Sequence, residues 1–112
     1  MFSSPLHILK SRTILLRTYF EQFILNASYY DLLITQTHSF EKFVRRNKLI
    51  SNSKEELYLN FILFCRKIAY ATMENTLDHS LLNKIKNTQK VLLKFWLIEK
   101  IDILLKRRKL LY

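Results

Sequence analysis

Glycine does not occur anywhere in the 112 residues, and proline occurs once, at Pro5. Average usage near 7% would supply about eight glycines in a chain of this length. Sheet proteins need glycine and proline for hairpin turns and bulges, whereas helix interiors are more stable without either. We therefore predict an all-α fold with short turns. Asparagine tolerates the left-handed conformation that glycine usually supplies, and it interrupts the apolar pattern at Asn26, Asn47, Asn75 and Asn87.

Apolar residues recur every three to four positions along most of the chain, which is the spacing of one helix face. In the first helix this stripe consists of Leu9, Leu16, Phe20, Phe23 and Ile24. The pattern predicts about five helices: one over about residues 6–25, a second after Asn26-Ala27, a third opening at Ser51 or Ser53, a fourth from Asp78 to about Asn87, and a fifth from beyond Thr88-Gln89 to about Lys109.

Helix caps are predicted from serine and aspartate residues placed before the apolar runs. Ser28 followed by Asp31 fits a Ser-x-x-acid cap for the second helix. Ser53 has Glu56 three residues on, which makes it a stronger cap for the third helix than Ser51. Because the turns among the first three helices are short, we expect these helices to be antiparallel neighbours in stacked hairpins.

The first helix carries apolar residues outside its main stripe as well. Ile14, Leu15, Tyr19 and Leu25 lie on a second face. A helix that is apolar on more than one side needs more than one neighbour to bury it. In the isolated chain this face would expose aliphatic surface, which predicts self-association.

Basic residues outnumber acidic residues by 19 to 9, which gives a net charge of +10. They concentrate in two runs, Arg45-Arg46-Asn47-Lys48 and Lys106-Arg107-Arg108-Lys109. Such clusters attract nucleic acid, anionic lipid or acidic proteins, and they also stabilise the negative ends of helices. The sequence leaves open whether these clusters bind a polyanion or only stabilise helix ends. The candidate polyanion contacts are Arg45, Arg46, Lys48, Lys106, Arg107, Arg108 and Lys109.

Residues with catalytic or metal-binding chemistry are few and scattered. Cys65 lies in an apolar stripe, where burial would raise its pKa, and no histidine is placed to activate it. His7, His38 and His79 lack metal-ligand spacing. A phosphate-cradling loop would require glycine. We therefore expect no enzymatic activity, no metal and no cofactor.

Residues 14–21 and 29–33 look like the two halves of a tetratricopeptide-like helical hairpin. The run SFEKFVRRNKLIS at 39–51, together with YLNFI at 58–62 and WLIEK at 96–100, is similar to the C-terminal part of a large uncharacterised bacterial helical-repeat family of tetratricopeptide-like fold. The resemblance covers about residues 12–103. Two departures are the long turn at 22–28 and His38, which stands where an acid is expected.

The resemblance implies that residues 1–112 are a single helical domain, the C-terminal fragment of a longer α-solenoid. It also implies that Ile14, Leu15, Tyr19 and Leu25 form the face on which upstream repeats stack. The function expected from it is a scaffold for protein–protein interaction. The alternative is a basic accessory module that binds nucleic acid non-specifically through its phosphates.

Cellular location is predicted from what the sequence contains. A single cysteine favours a reducing compartment, and early basic residues interrupt the only N-terminal apolar run, so we expect a cytoplasmic protein. No uncharged apolar run reaches the length of a membrane span. The fifth helix also has the character of an interfacial helix, although packing against the third and fourth helices accounts for its apolar face.

Overall fold

The computed structural model describes residues 4–111, and the side chains of residues 4–108. It confirms the all-α prediction: five helices form, and no strand occurs within residues 4–111. The helices are α1 (Pro5–Leu25), α2 (Tyr30–Arg46), α3 (Asn52–Met73), α4 (His79–Asn87) and α5 (Lys94–Leu111), and a 3₁₀ turn (Ala27–Tyr29) joins α1 to α2.

Helix α1 forms as its sequence predicts. Ser4 accepts a hydrogen bond from the backbone N–H of His7, and Pro5 occupies the first helical turn, where its missing N–H leaves no partner unsatisfied. Every member of the predicted stripe is buried, namely Leu9, Leu16, Phe20, Phe23 and Ile24.

The first three helices form two antiparallel hairpins, as the short turns predict. Arg12 near the start of α1 contacts Ser39 in the second half of α2, and Phe23 near the end of α1 contacts Tyr30. Helix α3 then packs antiparallel to α2, where Arg66 contacts Thr37. The core of all five helices is one continuous cluster of buried side chains.

Helix α5 runs parallel to α1 and α3 and closes the bundle. The backbone N–H of Leu92 donates to the carbonyl oxygen of Leu57 in the second turn of α3, and Trp96 packs against Phe61 one turn later along both segments. Helix α4 lies antiparallel to α5, because Lys94 at the start of α5 donates to the carbonyl of Thr88 at the end of α4, and Arg108 near the end of α5 donates to the carbonyl of Leu77 just before α4. This alternation of direction is compatible with a helical-repeat array.

The predicted Ser28 cap is wrong, and of the two serines predicted to open α3, the one less favoured by its spacing forms the cap. Asn26 caps the connection ahead of Ser28, because its Oδ1 accepts the Ser28 N–H at 3.0 Å and starts the 3₁₀ turn. Tyr29 therefore precedes α2 and makes no side-chain cap. Ser51 rather than Ser53 caps α3, accepting the Lys54 N–H, because the preceding loop is fixed by the buried side chain of Ile50. The predicted Asp78 cap of α4 is confirmed.

Left-handed backbone occurs at fewer asparagines than predicted. Asn75 has a φ of 58°, as expected after α3, but Asn26 and Asn47 are extended and cap their turns through side-chain Oδ1 atoms instead. The second positive φ belongs to Leu93 (53°), just before α5 begins. Helix α5 therefore begins later than predicted, after a loop of residues 88–93 in which the side chain of Val91 is buried.

A pair of leucine substitutions in α1 tests this placement of the core. Leu16 is 1% exposed and Leu25 is 85% exposed. Leu16→Ala should lower the free energy of unfolding by about 2–5 kcal/mol, since it opens a cavity among packed side chains. Leu25→Ala, the same chemical change on the same helix, should alter it by less than about 0.5 kcal/mol. Urea denaturation followed by circular dichroism measures both, and equal losses would contradict the assignment of the buried face.

Candidate functional site

A concave surface of about 620 Å³ lies between the N-terminal half of α1 and the C-terminal end of α2. We call it the basic groove. Four of its lining residues are lysine or arginine, and none of the lining residues that the structure describes is a carboxylate. They are Arg12, Ser39, Lys42, Phe43, Arg46, Asn47 and Lys48.

Arg12 is held in place at the α1 side of the groove. Its guanidinium donates to the Ser39 hydroxyl at 2.6 Å and lies over the ring of Phe43, 5.7 Å from the ring centroid. Lys42 and Arg46 follow from α2 at i,i+4, which places both on one face of that helix. All three cations therefore face one concavity because the α1–α2 hairpin pairs residues about 30 positions apart.

The chain bends around the end of α2 to supply the last two lining residues. Asn47 is extended, and its Oδ1 accepts the backbone N–H of Leu49. Lys48 is exposed beside it. The negative end of the α2 dipole, equivalent to roughly half a charge, faces this region, but the positive end of antiparallel α1 lies close by and opposes it. The four side-chain cations therefore dominate the electrostatic potential of the groove.

The nearest acid on α2 is engaged on another face of that helix. Glu41 accepts hydrogen bonds from Arg66 at 2.7 Å and from Arg45 at 2.9 Å, and Arg66 also donates to the hydroxyl of Thr37. The hydrogen bond from Arg66, aided by the one from Arg45, holds the pKa of Glu41 below its usual value against the opposing effect of burial. Glu41 is thus an internal partner for two arginines and does not neutralise the groove.

The structure separates the predicted polyanion contacts into two regions. Arg46 and Lys48 line the basic groove, and Arg45 pairs with Glu41. At the other end of the bundle, Arg107 donates to the carbonyl oxygen of Ile24 at 2.5 Å, twelve residues along α1 from Arg12, or about 18 Å of helix.

The remaining residues of the second basic run have mixed surroundings. Arg108 donates to the carbonyl oxygen of Leu77, so it ties α5 to the loop before α4. Lys106 is exposed, and the side chain of Lys109 lies outside the described residues. The two basic runs therefore do not form one contiguous surface.

Most of the predicted second face of α1 is open in the structure. Ile14 is 62% exposed, Leu15 38% and Leu25 85%, whereas Tyr19 packs partly against the core. Leu32, half exposed on α2, adds a further aliphatic side chain to the surface of the first hairpin.

Sequence reasoning missed Arg12 and Lys42 as members of the groove. Neither belongs to a basic run, and Arg12 approaches Lys42 and Arg46 only because α1 and α2 pair in one register. A pairing of the predicted hydrophobic stripes would have brought Arg12 beside Ser39. Only the Arg46–Lys48 part of the groove can be predicted from the local sequence.

The residues considered for catalysis have other surroundings. Cys65 is fully buried, and burial raises the pKa of its thiol well above the usual value. Within the described residues, no three histidine, cysteine, aspartate or glutamate side chains come together in a way that would hold a metal ion.

Comparison with protein-family models, with curated proteins and with solved structures found no match for this chain. None of the helices within residues 4–111 qualifies as a membrane-spanning segment.

The Glu41 cluster predicts a specific dependence of stability on pH. Because the native pKa is below the unfolded value of about 4.3, ionised Glu41 stabilises the fold above that pH, and the contribution is lost as the pH falls through the native pKa. Glu41→Gln should lower the free energy of unfolding by about 1–2 kcal/mol near neutral pH. The difference between the two proteins should shrink as the pH falls below the unfolded pKa and through the lower native pKa. Urea denaturation across this range measures it, and a constant difference would argue against the ionised pair.

Proposed function

We propose that this chain is a non-catalytic docking scaffold that binds an acidic segment of a partner protein in the basic groove. One observation carries the proposal: Arg12, Lys42, Arg46 and Lys48 converge from two helices and a loop on one concavity that no described carboxylate neutralises. Cationic surfaces of this kind attract acidic partners and speed their association.

The composition of the groove suits a segment that is both acidic and apolar. The groove is shallow and open, and the partly buried ring of Phe43 lies among its cations as an apolar contact. A short acidic segment can place carboxylates against lysine and arginine while its own aliphatic groups cover this ring. The combination supports recognition of a peptide with both acidic and apolar residues.

Non-specific binding to nucleic acid is the alternative, and the net charge of +10 supports it. That function needs a continuous basic track along the phosphate backbone. Arg107 and Arg108 each donate to a backbone carbonyl, and Arg45 pairs with Glu41, so several cations of such a track have partners within the protein. We therefore favour the protein partner.

The tetratricopeptide-like resemblance remains part of the proposal. In this view, the chain is the end of a longer helical array in a bacterial cytoplasm, and upstream helices stack on the exposed aliphatic side chains of α1, namely Ile14, Leu15 and Leu25. The antiparallel hairpins are compatible with that arrangement, and a reducing compartment suits the free thiol of Cys65.

The proposal predicts that reversing charge in the groove weakens binding to an acidic peptide. A fluorescein-labelled peptide of about 12 residues, rich in glutamate with two leucines, is titrated with the protein in about 50 mM salt and followed by fluorescence anisotropy. The double variant Lys42→Glu/Arg46→Glu should bind at least about tenfold more weakly, because two attractions become repulsions. Both side chains are exposed, so the circular dichroism spectrum and melting curve should stay near those of the parent.

The matched control is Lys84→Glu/Lys86→Glu on α4, which makes the same change in net charge at exposed positions outside the groove. This control should bind the peptide within about twofold of the parent, since screened charges outside the site contribute little. Equal weakening by both double variants would contradict the groove as the site. Tighter binding of duplex DNA than of the peptide, weakened by both variants, would favour the nucleic-acid alternative.

A further inference from the structure

We propose that the basic groove recognises a phosphorylated side chain within the partner's segment, in preference to carboxylates alone. This inference rests on the proposed function and specifies its ligand chemistry. It follows from how the cations converge, from their charge and from the hydrogen-bond donors that remain free to bind.

The four cations line one concavity from two helices and from the loop that follows α2. Arg12 enters from α1, Lys42 and Arg46 enter from successive turns of α2, and Lys48 enters from beyond the helix end. A run of carboxylates could be met by the α2 cations alone. Arg12 adds a planar guanidinium from the α1 side, so cations from both helices can reach one compact anion that carries several oxygen atoms, which is the form of a phosphate group.

The amount of charge points to the same ligand. A phosphorylated serine or threonine carries a charge of about −1.5 to −2 at neutral pH and offers three acceptor oxygens, whereas one carboxylate carries a charge of −1 and offers two. Glu41, the acid nearest in sequence to Lys42, is bound to Arg45 and Arg66. A dianion would therefore offset more of the repulsion among the groove's cations than any single carboxylate does.

The donors of the groove are partly preorganised. The Phe43 ring and the Ser39 hydroxyl fix the plane of the Arg12 guanidinium, and one of its terminal nitrogens is used by Ser39, which leaves other N–H groups to donate. Oδ1 of Asn47 is occupied by the Leu49 N–H, so the side-chain NH₂ of Asn47 is left as a donor. Planar guanidinium groups bind phosphate oxygens in pairs, and holding them in place reduces the entropy lost on binding.

The test uses three labelled peptides of one acidic sequence that differ at a central position, which holds serine, glutamate or phosphoserine. Titration of the full chain in about 150 mM salt, followed by anisotropy, should give a dissociation constant for the phosphoserine peptide at least about tenfold below that for the glutamate peptide, since hydrogen bonds to phosphate involve more charge and more acceptors. Binding of the serine peptide should be weakest.

Arg12→Lys keeps the charge and removes the planar fork, so it should lose most of the preference for phosphoserine over glutamate while still binding the glutamate peptide. Lys84→Glu/Lys86→Glu should keep the preference. A circular dichroism melt of each variant reports on the fold. If Arg12→Lys keeps the full preference for phosphoserine over glutamate, Arg12 is not the residue that recognises the phosphate.

The remaining outcomes separate this inference from the proposed function. Equal affinity for the glutamate and phosphoserine peptides would overturn the phosphate preference and leave the acidic docking groove standing. Failure to bind any of the three peptides would overturn both. Competition by free inorganic phosphate at millimolar concentration supports the inference, whereas displacement only by duplex DNA or by phosphatidylserine vesicles would overturn it in favour of those polyanions.

Discussion

The indole of Trp96 holds the C-terminal helix against the rest of the protein. Its ring packs edge-on against Phe20 of α1, with centroids 5.4 Å apart, and in a tilted arrangement against Phe61 of α3, at 6.0 Å. The indole N–H donates to Glu21, which also accepts from Lys100 at 2.7 Å. One partly buried side chain thus joins three parallel helices through apolar packing, while its indole N–H has a hydrogen-bond acceptor. Helix α4 in turn packs on α5.

The charges around Trp96 show how this protein uses its few acids. Lys100 is only 8% exposed, and its hydrogen bond to Glu21 raises its pKa against the opposing effect of burial. Glu41 fills the same role between α2 and α3, where it binds Arg45 and Arg66. Carboxylates placed between helices in this way neutralise cations inside the bundle. The uncompensated positive charge is left on the outer surface, of which the basic groove is the most concentrated part on α1 and α2.

Much of the fold follows from the sequence, because helix formation depends on a repeating pattern that local residues set. The predicted stripe of α1 is buried in full, and Asp78 caps α4 as its position indicated. The errors occur where two local solutions compete. Asn26 caps the turn that Ser28 was expected to cap. At α3, Ser51 is the cap although Ser53 has the favourable spacing to Glu56, and the side chain of Ile50 is buried just before Ser51.

The candidate site is less predictable because it depends on register between helices. Arg46 and Lys48 belong to a visible basic run, yet Arg12 joins them only through the pairing of α1 with α2. The positive φ of Leu93 likewise depends on contacts with distant parts of the chain. A left-handed leucine has no local cause, and it persists here where Val91 is buried behind it and the Leu92 N–H bonds to the start of α3. Long-range contacts select both features.

A groove of four like charges is a poor arrangement for stability alone. Like charges repel even at the dielectric constant of water, and four cations make six repelling pairs. The dipole of α2 favours Arg46 and Lys48 at its end, although the dipole of antiparallel α1 opposes it, and its effect on Lys42, one turn inside, is weak. Arg12 joins α1 to α2 through the Ser39 hydroxyl and the Phe43 ring. The charge of Lys42 has no such structural role among the described contacts, and a bound anion would explain it, since an anion turns mutual repulsion into shared attraction.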